Sequence, residues 1–327
     1  MLRWTWVALA LTAGVFPAGA ATPSREILNA SYDATRAFYQ DYNRWFETHW
    51  REKTGETVVV RQSHGGSGKQ ARAVIDGLGA DVVTLALAGD IDAIVERSGH
   101  IAPNWRERLP SGGVSYYSTI VFLTRRGNPK NIRDWEDLAR PGVSVITPNP
   151  KTSGGARWNF LAAWAFGLDR AHTEAGAREF VARLYRNVPV LDSGARGAAM
   201  TFGRRRLGDA LIAWESEALL LQRDFPEEGW ALVRPSISVR AEPCAAWVDD
   251  VVARRGTRDL AEAYLKGLHS PAAADLARRH YFRVGEEKTV DGTRLVSIDA
   301  WGGWRVAQRT HFSEGGTFDE IFDPGRR

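Results

Sequence analysis

The chain has 327 residues, 44% of them hydrophobic and 25% charged, with a formal net charge of +4. That length suffices for two α/β lobes with cores of their own, and the composition argues against disorder. The charge excess is small, and its densest run is Arg204-Arg205-Arg206; a nucleic-acid partner is therefore not expected.

At the N-terminus, Arg3 is a minimal basic region, residues 4–16 are apolar, and Ala18-Gly19-Ala20 is an A-x-A-like cleavage site. The apolar run is too short for a membrane span of about 20 residues, so residues 1–21 read as a signal peptide cleaved near Ala20 or Ala21. Losing Arg3 with it lowers the net charge from +4 to +3. No cysteine lies near the cleavage site for a lipid anchor. Cys244 is the only cysteine, so no intrachain disulfide can form; beside Ala245, Ala246 and Trp247 it reads as a buried apolar thiol. The seven histidines are scattered without ligand spacing, so neither a metal nor a cofactor is expected.

In chain order, Ile27-Leu28-Asn29-Ala30 reads as a strand and Ser31-Tyr32-Asp33 as a loop. Residues 35–53 form a helix whose Phe38, Tyr42, Trp45, Phe46 and Trp50 mostly face the core. Val58-Val59-Val60 is a second strand, followed by Gln62-Ser63-His64-Gly65-Gly66-Ser67-Gly68-Lys69 and a helix from Ser67 that buries Ala71, Val74, Ile75 and Leu78. This is not a Walker loop, which needs Gly where Ser63 stands and Ser or Thr where Gln70 stands. What remains is a Gly/Ser loop that presents backbone amides at a helix start. Residues 81–87 form a third strand and residues 90–97 a helix. Pro110-Ser111-Gly112-Gly113 marks a break, and the chain crosses to a second lobe just before the strand at 118–123.

The second lobe repeats the alternation. Val143-Ser144-Val145-Ile146 is a strand, and Thr147-Pro148-Asn149-Pro150-Lys151-Thr152-Ser153-Gly154-Gly155 leads into an apolar helix. Ser153 is a good N-cap, and Gly154 and Gly155 leave their amides bare. Such a helix start attracts anions, because unpaired N–H groups and the helix dipole both present positive charge. A helix over 175–185 precedes Val188-Pro189-Val190-Leu191 and the loop Asp192-Ser193-Gly194-Ala195-Arg196-Gly197. The strand Asp209-Ala210-Leu211-Ile212-Ala213 ends at Trp214. Near residues 233–239 the chain returns to the first lobe, where helices over 260–268 and 272–279 precede a looser tail. The alternation predicts parallel sheets covered on both faces.

Four strands thus end in a Ser/Gly/Asp loop at a helix start, two in each lobe, at the carboxyl ends where open α/β sheets hold ligands. Trp214 adds an indole N–H, which only donates. A donor set of this kind suits a small, fully ionised oxyanion. Hydrogen phosphate carries a proton that such a site leaves unpaired, at a cost of about 1–3 kcal/mol; sulfate carries none. Asp33 is the exception, since an inward carboxylate repels sulfate and accepts a phosphate proton.

At these loops the chain resembles the periplasmic sulfate-binding proteins of bacterial sulfate/thiosulfate ABC transporters. The matching motifs are Ser31-Tyr32-Asp33, the segments 62–70, 143–158 and 191–197, Ile212-Ala213-Trp214-Glu215, Gly302-Gly303-Trp304 and the segment 311–318. The resemblance implies an α/β, two-lobed type II periplasmic binding fold, with residues 22–117 and 237–327 as the discontinuous first lobe and 118–236 as the second. It implies a monomeric, non-catalytic periplasmic carrier that closes over one dehydrated sulfate, or thiosulfate, and delivers it to a membrane-embedded permease. The amides of Asp33, Ser67, Gly154, Gly155 and Ala195, the Ser153 hydroxyl and the Trp214 indole are the implied donors, with the Asp33 carboxylate turned away. Binding is then expected to change little from pH 5 to 8. Gly89 stands where relatives carry an aromatic, Thr152 where some carry serine, and the region 285–295 is shortened. A carrier of another tetrahedral oxyanion such as molybdate is the alternative. A hydrolase using Ser153 or Ser67 with His64 as base is the reading from another class, but neither serine lies in a G-x-S-x-G elbow.

Overall fold

The computed structural model describes residues 25–322; the expected signal peptide lies outside the described residues. The chain begins with β1 (Arg25–Tyr32), α1 (Arg36–Thr54), β2 (Val58–Gly65), α2 (Ser67–Ile75), β3 (Val82–Leu85) and α3 (Ala88–Ser98). It continues with β4 (Ile120–Thr124), α4 (Trp135–Leu138), β5 (Val145–Pro148), α5 (Gly154–Ala171), α6 (Glu174–Arg186), β6 (Leu191–Asp192), α7 (Ala195–Gly203), β7 (Ala210–Trp214), α8 (Glu215–Asp224) and β8 (Ala231–Val233). It ends with β9 (Ile237–Val239), β10 (Cys244–Trp247), α9 (Asp249–Arg255), α10 (Arg258–Gly267), α11 (Pro271–Arg279), β11 (Thr289–Val290), β12 (Thr293–Val296), α12 (Trp304–Ala307) and α13 (Thr317–Ile321).

Two sheets form the cores, ordered β10-β3-β1-β2 and β6-β5-β7-β4-β8. β1 is parallel to β2 and β3, and β5 is parallel to β6 and β7. The sheets are mixed, however, and not parallel throughout: β10 runs antiparallel to β3, and β4 antiparallel to β7 and β8. The reason lies in where the chain crosses between lobes. Ile120, the first residue of β4, pairs with Trp214, the last of β7, and Cys244, the first of β10, pairs with Leu85, the last of β3. Each crossing delivers the chain to the carboxyl edge of the new sheet, so the entering strand has to run backwards along it. The crossing segments are themselves bridged, Tyr117 to Arg283 and Ser118 to Ala241.

Local causes are legible in each element. On α1, Phe38, Tyr42 and Phe46 recur every four residues, lie buried, and stack in turn with centroids 6.0 and 6.4 Å apart. The helix stops at Gly55, whose φ of 76° places it in the left-handed region. Trp45 and Trp50 stay half-buried. The tail is more ordered than expected: β11, β12 and β9 form a third sheet, built of strands two to four residues long that carry little pattern. Residues 304–322 then bridge both lobes. Trp304 packs edge-on against Trp158 of α5, Phe318 against Phe160 and Tyr185, and Lys151 donates to Asp319 at 2.7 Å.

Candidate anion-binding site

The four helix starts converge. Asp33, Ser67, Ser153, Gly155, Ala195 and Trp214 line one small cavity, together with Tyr32, Ala34, Gly65, Gly66 and Glu217. It measures about 10 Å³, on the scale where one buried water needs roughly 10–15 Å³. Gly154 sits just behind, packed so closely that an added Cβ would lie 2.9 Å from both Ser67 Cβ and Ala86 Cβ. Among the described residues no lysine, arginine or histidine lines the cavity.

Each donor is set by its element. Ser67, Gly154 and Ala195 are first residues of α2, α5 and α7, and Gly155 is the second of α5. Their N–H groups have no acceptor within the helix. Asp33 opens a 3₁₀ turn over Asp33–Thr35, held because Thr35 Oγ1 donates to the Tyr32 carbonyl at 2.7 Å and meets Ser31 Oγ at 2.8 Å. Ser31 is thus a buried support for the turn. Ser153 Oγ caps α5 by accepting from Ala156 N at 3.2 Å, which leaves its own proton free to donate. Trp214 is buried, packs its ring 5.5 Å from Tyr32, and holds Nε1 3.4 Å from the Gly155 carbonyl, too long to commit the proton firmly.

A buried polar relay stands behind these groups. Ser67 Oγ donates to Asp90 and accepts from Ala86 N at 3.0 Å. Asp90 pairs with Arg157 at 2.7 Å, and Arg157 Nε donates to the Pro150 carbonyl at 2.9 Å. Asp90 and Arg157 are both buried, and they tie the starts of α2, α3 and α5 across the two lobes. Sequence reasoning missed this pair; a charge one turn into an otherwise apolar helix was its only signal. The lobes also meet directly. An added Cβ on Gly66 would lie 2.7 Å from the Thr152 carbonyl and 3.0 Å from the Ser193 carbonyl, and one on Gly194 would lie 2.6 Å from Asp33 Oδ2. The Asp33 carboxylate therefore reaches toward the start of α7, as suits a negative group at a helix N-terminus. Burial raises its pKa, against the pull of Arg36, Arg196 and Lys69.

The donors do not stand alone. Glu217, in the first turn of α8, also lines the cavity. The motif residue Glu215, by contrast, faces away: it takes Arg283 at 2.7 and 3.0 Å and Arg234 at 3.0 Å. Nor do the serines form a nucleophile–base pair. Their hydroxyls are engaged as described, while both ring nitrogens of His64 are buried without a partner. Burial and Arg36 lower its pKa to about 4.

Residues 27–283 match the family described as bacterial extracellular solute-binding protein. The chain is 54% identical over 305 residues to the sulfate-binding protein of Escherichia coli, covering 90% of this chain and 92% of the relative. It is 44% identical to the thiosulfate-binding protein of Pseudomonas aeruginosa, covering 96% and 97%. The solved sulfate-binding protein SubI from Mycobacterium tuberculosis superposes with a TM-score of 0.78 at 29% identity, over 91% of this chain and 100% of that one. The two sheets, their mixed order and these likenesses lead to one conclusion: the chain belongs to the bacterial extracellular solute-binding proteins, with the two-lobed α/β architecture of the type II periplasmic binders.

Proposed function

We propose that this protein captures sulfate, and thiosulfate beside it, in the cavity at the four helix starts and hands it to the membrane-embedded permease of an ABC transporter. The observation that carries the reading is the convergence of first-turn amides, a capping hydroxyl and an indole on a one-guest cavity without a cationic side chain. The amides of Asp33, Ser67, Gly154, Gly155 and Ala195, the Ser153 hydroxyl and Trp214 Nε1 act as donors. Each charge-assisted bond contributes about 1.5–3 kcal/mol, enough together to offset dehydration of a dianion and leave binding near −8 kcal/mol, about micromolar. In this reading the serines support the site and do not attack, and the protein acts as a carrier. Among the described residues no helix is long and apolar enough to cross a membrane; the reading makes the carrier a periplasmic monomer. Calorimetric titration with sulfate, thiosulfate, molybdate and phosphate tests the reading. One-to-one sulfate binding, much tighter than phosphate, is expected; equal affinity for sulfate and phosphate refutes it.

A further inference from the structure

We propose that the C-terminal segment belongs to the anion-binding machinery: through the Lys151 ammonium it fixes the loop that carries Ser153, Gly154 and Gly155, with Lys151 and Asp319 as positioning residues for those donors. This rests on the sulfate reading above.

In chain order the segment follows the return to the first lobe, yet it packs on helices of the second. Phe312 and Phe318 lie 5.3 and 6.2 Å from Phe160 of α5, His311 lies 4.7 Å from Trp164, and Phe318 lies 5.5 Å from Tyr185 of α6, centroid to centroid. Continuing from α12, Gln308–Phe312 make a π-helical turn. The last carbonyls of a helix have no partner within it and carry the negative end of its dipole. Lys151 meets that end. Its Nζ donates to the carbonyls of Phe312 at 3.2 Å and Ser313 at 3.0 Å, and to Asp319 Oδ2 at 2.7 Å. Gly315 N also donates to Asp319 Oδ2, at 2.9 Å, so the intervening turn closes round the ammonium.

An ammonium has three protons, and these three oxygens account for all of them. Lys151 has none left for the anion, and it does not line the anion cavity. What it controls is backbone. Lys151 N donates to Asn149 Oδ1 at 2.9 Å, and Ser153 N donates to the Asn149 carbonyl at 2.9 Å. The loop is therefore a tight coil, and a shift at Lys151 reaches Ser153 two residues on and Gly154, where α5 begins. A loop held in place before its guest arrives loses less entropy on binding.

The test is calorimetric titration of sulfate at about 0.02 M and about 0.5 M sodium chloride. The proteins are the wild type, Lys151→Met, Asp319→Ala, the double variant and Arg178→Met, each with its unliganded thermal midpoint measured as well. Lys151→Met is expected to bind about 5- to 30-fold more weakly, the factor that ordering one residue of backbone on binding brings, and by the same factor at both salt concentrations. Asp319→Ala is expected to bind about threefold more weakly or worse, and the double variant no more weakly than Lys151→Met, because the two act on one contact. Arg178→Met loses only the exposed pair with Glu320 at the end of the segment and is expected to bind as the wild type does. A residue that only stabilises the fold lowers the thermal midpoint and leaves the affinity of the folded protein unchanged. Affinities of both single variants within twofold of the wild type overturn the proposal. So does tighter binding by Asp319→Ala, or a loss in Lys151→Met that vanishes at the higher salt, since either makes Lys151 a long-range charge acting on the anion. An equal loss in Arg178→Met overturns the route through Lys151. Failure of the wild type to bind sulfate overturns the sulfate reading itself, and this inference with it.

Discussion

Gly66 offers a direct test of closure. It lies on the α2 side of the cavity, and a methyl added there would sit 2.7 Å from the Thr152 carbonyl and 3.0 Å from the Ser193 carbonyl, against an ordinary contact of 3.4–4 Å. Both obstacles are backbone, and both belong to the opposite lobe, so no rotamer change relieves the clash. Gly66→Ala therefore wedges the lobes apart by several tenths of an ångström. An overpacked contact costs about 1–3 kcal/mol. Here it falls on the closed state, so sulfate should bind roughly 5- to 150-fold more weakly. Opening of the lobes in the unliganded protein would relieve the contact, so its thermal midpoint should hardly move. Gly79→Ala is the control, because nothing lies within 4 Å of the added carbon. Calorimetric titration gives the affinity and scanning calorimetry the midpoint. A Gly66→Ala protein that binds sulfate within twofold of wild type would refute the close approach of the lobes as the source of tight binding.

Three further outcomes are expected. Trp214→Phe removes one donor to the anion and should weaken sulfate binding by about 1–3 kcal/mol, with loss of the ligand-induced change in tryptophan fluorescence; an unchanged affinity removes the indole from the donor set. Arg157→Met leaves Asp90 buried without its cation and should cost about 3–5 kcal/mol of stability in denaturant unfolding; a loss under 1 kcal/mol would mean that Asp90 finds another partner. His311 is buried between Phe160 and Trp164, and burial lowers its pKa to about 4. The unfolded chain, near 6.5 at its histidines, then binds more protons between those values. Stability is full above pH 6.5 and falls as the pH drops toward 4. His311→Phe should flatten that part of the stability profile, and an unaltered slope would show that His311 does not contribute to it.

Most of the alternation of strand and helix was legible from the sequence, because period-2 and period-3.6 patterns and loop residues are local properties. The helix starts at Ser67, Gly154 and Ala195 are of this kind: a cap or glycine leaves first-turn amides bare whatever surrounds them. Direction and environment were not local. That β4 and β10 run backwards follows from where the chain crosses between lobes, and no residue within either strand encodes it. The sequence does not show what the hydroxyls of Ser67 and Ser153 meet; one answers to Asp90 and the other to Ala156 N. Glu215 and Glu217 differ most. The chain presents two glutamates two positions apart, and only the folded packing gives one a pair of arginines and the other a place on a cavity wall without a cation. The sequence by itself thus determined which backbone groups are unpaired. The tertiary structure decided which charges come near them, because charge state depends on neighbours brought in from distant parts of the chain.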